Sequence, residues 1–129
     1  MSGIDLGQTE AGQPTVLVVD DDPRMLDLMY EMLAFVGYRA VVVSKPAEGL
    51  GLVFQRHFAC AVIDVAMPGG GGAARARAIN RGAPELPVIM MRALSYEELM
   101  ARIGGVAASA VLCKPFLLRD LRQALADAV

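Results

Sequence analysis

Four aspartates, a lysine and an arginine carry the chemistry legible in this chain. The apolar run Thr15-Val16-Leu17-Val18-Val19 stops at three consecutive carboxylates, Asp20, Asp21 and Asp22, and the run Cys60-Ala61-Val62-Ile63 stops at Asp64. Two further runs end at Arg92-Ala93 and at Lys114. Carboxylates gathered in one place repel, each close pair costing about 4 kcal/mol at ~4 Å in a surface-like dielectric. A divalent cation relieves that cost. An oxygen-only donor set without His or Cys selects Mg²⁺, or a similar hard ion such as Mn²⁺, which commonly joins carboxylates to a phosphoryl group. Lys114 adds a compact, flexible positive charge suited to phosphoryl oxygens. Together these groups describe a phosphoryl-transfer site in which Asp64 is the carboxylate nucleophile.

Such a site exists only if the fold gathers the ends of the runs. The segment 1–14 is polar, Gly-rich and aperiodic, and reads as a flexible lead-in to a single domain over 15–129. Thr15–Val19 is a short β-branched run of the kind buried on both faces of a sheet. Pro23 follows at a first helical position with an aspartate before it able to cap, and Met25, Leu26, Leu28, Met29, Met32, Leu33 and Val36 recur at helical spacing up to Gly37. Arg39–Val43, Cys60–Asp64, Leu86–Met91 and Ala108–Cys113 read as the remaining strands. Helices are predicted from Pro46 to about Gln55, Ala73 to about Asn80, Ser95 to Gly104-Gly105 and Leu117 to Ala128. Strands alternating with helices imply a parallel sheet covered on both faces, with ligands at the carboxyl ends of its central strands. Those ends hold the aspartates.

Composition removes several other functions. The chain of 129 residues is 55% hydrophobic with a formal net charge of −2, so it has no basic footprint for nucleic acid or an anionic membrane. No apolar run is long enough to span a bilayer and no signal pattern opens the chain, which points to the cytoplasm. Cys60 and Cys113 both lie in apolar runs and read as small buried hydrophobes. His57, the single histidine, reads as a helix-end or surface residue. Arg75, Arg77 and Arg81 read as a solvated helix face. Gly69 to Gly72 lacks the following Lys-Ser/Thr of a phosphate-binding loop and reads as a mobile connection.

Four motifs in order give the chain a family resemblance. Val18-Val19-Asp20-Asp21, Ile63-Asp64-Val65-Ala66-Met67-Pro68 with Gly72 eight residues beyond the aspartate, Pro87-Val88-Ile89-Met90, and Lys114-Pro115-Phe116 resemble the receiver domain of a bacterial two-component response regulator. The resemblance implies a flavodoxin-like (βα)5 three-layer sandwich with a five-stranded parallel sheet in the order 2-1-3-4-5. It implies a phosphoacceptor of signal transduction rather than an enzyme, with at most self-catalysed phosphotransfer and dephosphorylation. The donor would be a sensor histidine kinase or phosphotransfer protein and the acceptor Asp64. Asp21, Asp64 and the Ala66 backbone carbonyl would ligate Mg²⁺ (or Mn²⁺), with Asp20 acting mostly through water. Lys114 and Ala93 would contact the phosphoryl group, and the Lys114-Pro115 bond would be cis. Output would pass to an unknown downstream protein or output domain by protein contact, without direct contact to nucleic acid or membrane, and the last helices and strand would offer a homodimer face.

Two positions depart from the family pattern. Arg92 stands where the family has Ser or Thr, and Val111 where it usually has Tyr or Phe. Arg92 has three readings: its side chain leaves the pocket and snorkels to solvent, which is the slightly favoured one; it bonds the phosphoryl group itself; or it pairs with Asp64 or Asp21 at rest and competes with Mg²⁺. The last would make a phosphorylation-independent pseudo-receiver, an interaction module that keeps the fold but not the chemistry. A haloacid-dehalogenase-like phosphohydrolase would also use an Asp-x-Asp such as Asp20-Asp21-Asp22, but Pro23 and the short chain fit that family poorly.

Overall fold

The five apolar runs form five parallel strands, β1 (Thr15–Val19), β2 (Arg39–Val43), β3 (Cys60–Asp64), β4 (Val88–Arg92) and β5 (Ala110–Cys113), in one sheet ordered β2-β1-β3-β4-β5. The computed structural model describes residues 12–65, 71–92 and 104–129. Four helices fall within them: α1 (Pro23–Phe35), α2 (Pro46–Val53), α3 (Gly71–Gly82) and α4 (Leu118–Ala128). The helix predicted from Ser95 lies outside the described residues, apart from its Gly104-Gly105 end.

Successive strand residues point to opposite faces, so each central strand feeds two cores. Val16, Val18, Cys60, Val62, Ile89, Met91 and Leu112 meet α1 and α4 through Leu26, Met29, Leu33, Leu121 and Leu125. Leu17, Val19, Ala61, Ile63, Val88 and Met90 meet α2 and α3 through Val53, Ala73, Ala76 and Ile79. The α1 methionines are packing, as their spacing indicates. Asp22 caps α1, accepting from the Arg24 amide at 3.0 Å, and that bond holds its carboxyl below the usual range. Gly37, at φ +98°, takes the left-handed turn that ends the helix. No helix among the described residues is long and apolar enough to cross a membrane.

Three local expectations change. Gly71 and Gly72 are not a loop but the first residues of α3. Cys113 is exposed, on the edge strand β5 and on the same face as exposed Val111, whereas Cys60 lies in the core and burial pushes its thiol up to about 12. Of the three α3 arginines only Arg81 is simply exposed, while Arg77 donates to the Gly104 carbonyl at 3.1 Å.

Candidate phosphoryl-transfer site

The strand order decides which ends meet. β1 and β3 are neighbours at the centre of the sheet, so Asp20, one residue past β1, and Asp64, the last residue of β3, emerge side by side. One oxygen from each of Asp20, Asp21 and Asp64 lies within 4.8 Å of the others. Asp20 and Asp64 are buried, at 0% and 4% exposure, while Asp21 is exposed and leaves the cluster open to solvent. Three hard oxygen donors with one open side suit a cation that keeps part of its water shell, so the donor set fits Mg²⁺. Ala66 and Ala93, expected to assist there, lie outside the described residues.

Lys114 reaches the cluster from β5, two strands away. Its amide donates to the Arg92 carbonyl at 2.7 Å, continuing the β4–β5 ladder past Cys113. From there Nζ donates to Asp20 Oδ2 at 2.7 Å and to Asp64 Oδ2 at 3.2 Å. The following Lys114–Pro115 peptide bond is cis. Burial lifts the Asp20 carboxyl above its ordinary range, against the opposing pull of Lys114 and of the Asp22 amide, which donates to Asp20 Oδ1 at 2.9 Å. Burial acts on Lys114 in the opposite sense, but its bond to Asp20 and the charge of Asp64 outweigh it and hold the ammonium above the usual lysine range. The lysine is therefore a fixed cation, suited to anionic oxygens and not to proton transfer.

Arg92 overturns the snorkelling expectation. Its side chain is only 22% exposed, and Nη1 stands 3.7 Å from Asp64 Oδ1. The reason lies in register: β4 pairs with β3 so that Met91 stands beside Asp64, and the next residue emerges at the same level as the carboxylate. Val111 is 40% exposed and takes no part in the cluster. His57 is exposed and far from it by position, past the end of α2. Two cavities of about 430 and 380 Å³ are lined mainly by β5 with α4 and by the segments entering β3 and β4, away from the acidic cluster.

Two supporting residues were not legible beforehand. On α3, Asn80 Nδ2 donates to the Ala107 carbonyl at 3.1 Å while the Ala107 amide donates to Asn80 Oδ1 at 2.7 Å. With Arg77 on Gly104, this pins the segment that enters β5 and so the strand that presents Lys114. No sequence motif marks such a latch. Asn80→Ala is expected to cost about 0.5–1 kcal/mol, read as a small fall in the denaturation midpoint with unchanged slope.

The comparisons with known proteins agree with this geometry. Residues 16–126 match the family model described as the response regulator receiver domain. Response regulator MprA of Mycobacterium sp. (strain KMS) is 31% identical over 108 residues, covering 82% of this chain and 46% of that protein. The chain thus spans about half the length of that relative. A CheY-like response regulator receiver domain protein from Methanospirillum hungatei superposes with a TM-score of 0.80 at 26% identity, covering 88% of this chain and 91% of the other. The receiver domain of a sensor histidine kinase from Pseudomonas aeruginosa PAO1, with magnesium ion coordinated in its active site cleft, gives a TM-score of 0.80 at 21% identity, a likeness of fold, with 87% and 93% covered.

Proposed function

We propose that this chain, which belongs to the response regulator receiver domain family, accepts a phosphoryl group on Asp64 from a phosphohistidine of a sensor histidine kinase or phosphotransfer protein. In that step a carboxylate oxygen of Asp64 attacks phosphorus, the P–O bond forms, the P–N bond breaks, and the imidazole leaves with its electron pair. The observation that carries the reading is the position of Lys114 Nζ between Asp20 and Asp64, with Asp21 completing a three-carboxylate cluster. Lys114 stays charged and supports the transferring oxygens. Asp20, Asp21 and Asp64, with the Ala66 carbonyl, would hold Mg²⁺ (or Mn²⁺). When bound, the metal supplies charge neutralisation at the phosphoryl oxygens. The setting is the cytoplasm, and output passes to a downstream protein or output domain by contact.

Acetyl phosphate with Mg²⁺ provides the test. Intact-mass analysis is expected to show the addition of one phosphoryl group to the wild-type chain, accumulating slowly, and none on Asp64→Asn. Labelling that persists in Asp64→Asn would remove Asp64 from the role.

The Arg92–Asp64 approach favours one second reading, an interaction module whose site Arg92 blocks. It predicts no mass gain in the wild type, a gain in Arg92→Thr, and partner binding indifferent to Asp64→Asn.

A further inference from the structure

The acidic cluster carries a second cation that phosphoryl acceptance does not require. Arg92 Nη1 stands 3.7 Å from Asp64 Oδ1 while Lys114 Nζ stands 3.2 Å from Oδ2, so each oxygen of the carboxylate faces a different positive charge. The Arg92 Nε is buried and finds no hydrogen-bond partner among the described residues. A guanidinium is normally held by a fork of hydrogen bonds. Here Nη1 approaches Asp64 at ion-pair distance, beyond hydrogen-bond range, and the buried Nε–H of the same guanidinium is unspent.

Charge arithmetic gives this arrangement a direction. Among the described residues Asp20, Asp21 and Asp64 face Lys114 and Arg92, which gives these five groups one formal negative charge. A divalent ion entering that cluster overshoots neutrality by one unit. With a phosphoryl group on Asp64, one carboxylate charge is exchanged for about two phosphate charges, and the divalent ion then brings the site to neutrality. Without Arg92 the order is reversed: three carboxylates and one lysine are neutralised by the metal before any phosphoryl group arrives.

We propose that Arg92 is a resident cation that competes with the divalent metal for unmodified Asp64 and turns its unspent N–H onto the phosphoryl oxygens once Asp64 is esterified. Metal and phosphoryl group thereby bind with strong mutual coupling, each tightening the other by the same factor. The esterified half rests on the phosphoacceptor reading; the competition half does not.

The experiment is a Mn²⁺ titration of the full chain, followed by the loss of the free-ion electron paramagnetic resonance signal, with and without beryllofluoride as a phosphoryl mimic. An opposite charge within about 4–6 Å typically moves a carboxylate's cation equilibria by a power of ten or more. Arg92→Met and Arg92→Gln, both checked for folding by circular dichroism, are therefore expected to bind Mn²⁺ about tenfold more tightly than the wild type without beryllofluoride. Beryllofluoride is expected to tighten Mn²⁺ binding by the wild type at least tenfold and by the variants less. Equal affinities of wild type and variants without the mimic overturn the competition. An equal gain from beryllofluoride in wild type and variants, or none in the wild type, overturns the coupling. Tighter Mn²⁺ binding by the variants together with no labelling by acetyl phosphate would overturn the phosphoacceptor reading while leaving the competition in place.

Discussion

Gly72→Ala is expected to lower the melting temperature by about 10 °C, equivalent to about 2–3 kcal/mol, and to slow phosphorylation of Asp64 by roughly tenfold or more. On helix propensity alone the sign would be opposite, since alanine is favoured over glycine by about 1 kcal/mol within a helix. Packing reverses it. A Cβ at Gly72 collides with the Asp64 carbonyl oxygen and lies 3.0 Å from both the Asp64 carbonyl carbon and the Val65 Cα. All three are backbone atoms of the chain leaving β3, so no side-chain rotation makes room. Relief requires α3 to move off the sheet or the tip of β3 to shift, and the second displaces the carboxylate. Gly51, inside α2, is the control: its Cβ would meet nothing within 4 Å. Gly51→Ala is therefore expected to stabilise by about 0.5–1 kcal/mol. Thermal melts of the pair decide the matter, and a Gly72→Ala protein as stable as the wild type would show that α3 yields freely.

This glycine also marks where the sequence stopped being readable. β1, β2 and β3 agree with expectation to the residue; in β1 and β3 burial on two faces demands unbroken apolar runs, and an aspartate ends each run at the level where the sheet ends. The parallel pairing followed from strands alternating with helices, the order 2-1-3-4-5 from the family resemblance, and the gathering of Asp20, Asp21 and Asp64 follows from that order. The start of α3 was hidden, since local propensity makes Gly71-Gly72 a loop whereas the close approach to Asp64 makes Gly72 helical and irreplaceable. Cys113 was misjudged for the converse reason, an apolar run on an edge strand being buried on fewer sides than its composition suggests. Arg92 needed register as well as composition. The sequence puts an arginine at a strand end, but only the pairing of Met91 with Asp64 turns that position into a contact with the carboxylate.

Asp20→Asn is expected to raise the melting temperature of the metal-free protein while removing most of its stabilisation by Mg²⁺. Asp20 has no exposed surface, and burial raises its carboxyl above the ordinary 3.8 despite the bonds from Lys114 and the Asp22 amide, with the neighbouring Asp64 charge adding to the rise. The native state therefore binds this proton more tightly than the unfolded chain does. By linkage the contribution of this group to stability falls as pH rises from the unfolded value through the folded one, and stays low at neutral pH. A neutral isostere escapes that loss. Asparagine can still accept the Asp22 amide through Oδ1, but its Nδ2 then faces the Lys114 ammonium as donor against donor, so Lys114 has to turn to Asp64, its remaining carboxylate partner. The metal reverses the comparison, because at ten times its dissociation constant it adds about 1.4 kcal/mol to a protein that binds it and little to one that has lost a carboxylate ligand. Melts at pH 7 should place Asp20→Asn above the wild type without Mg²⁺, and the gap should close with saturating Mg²⁺. Well below the unfolded value of 3.8 it should close without metal, as the wild-type carboxyl is then protonated in both states. A variant less stable than the wild type at pH 7 without metal would mean that the Lys114–Asp20 bond outweighs the burial of the charge, and that the cluster is held together at rest by its cations and does not depend on a metal to relieve it.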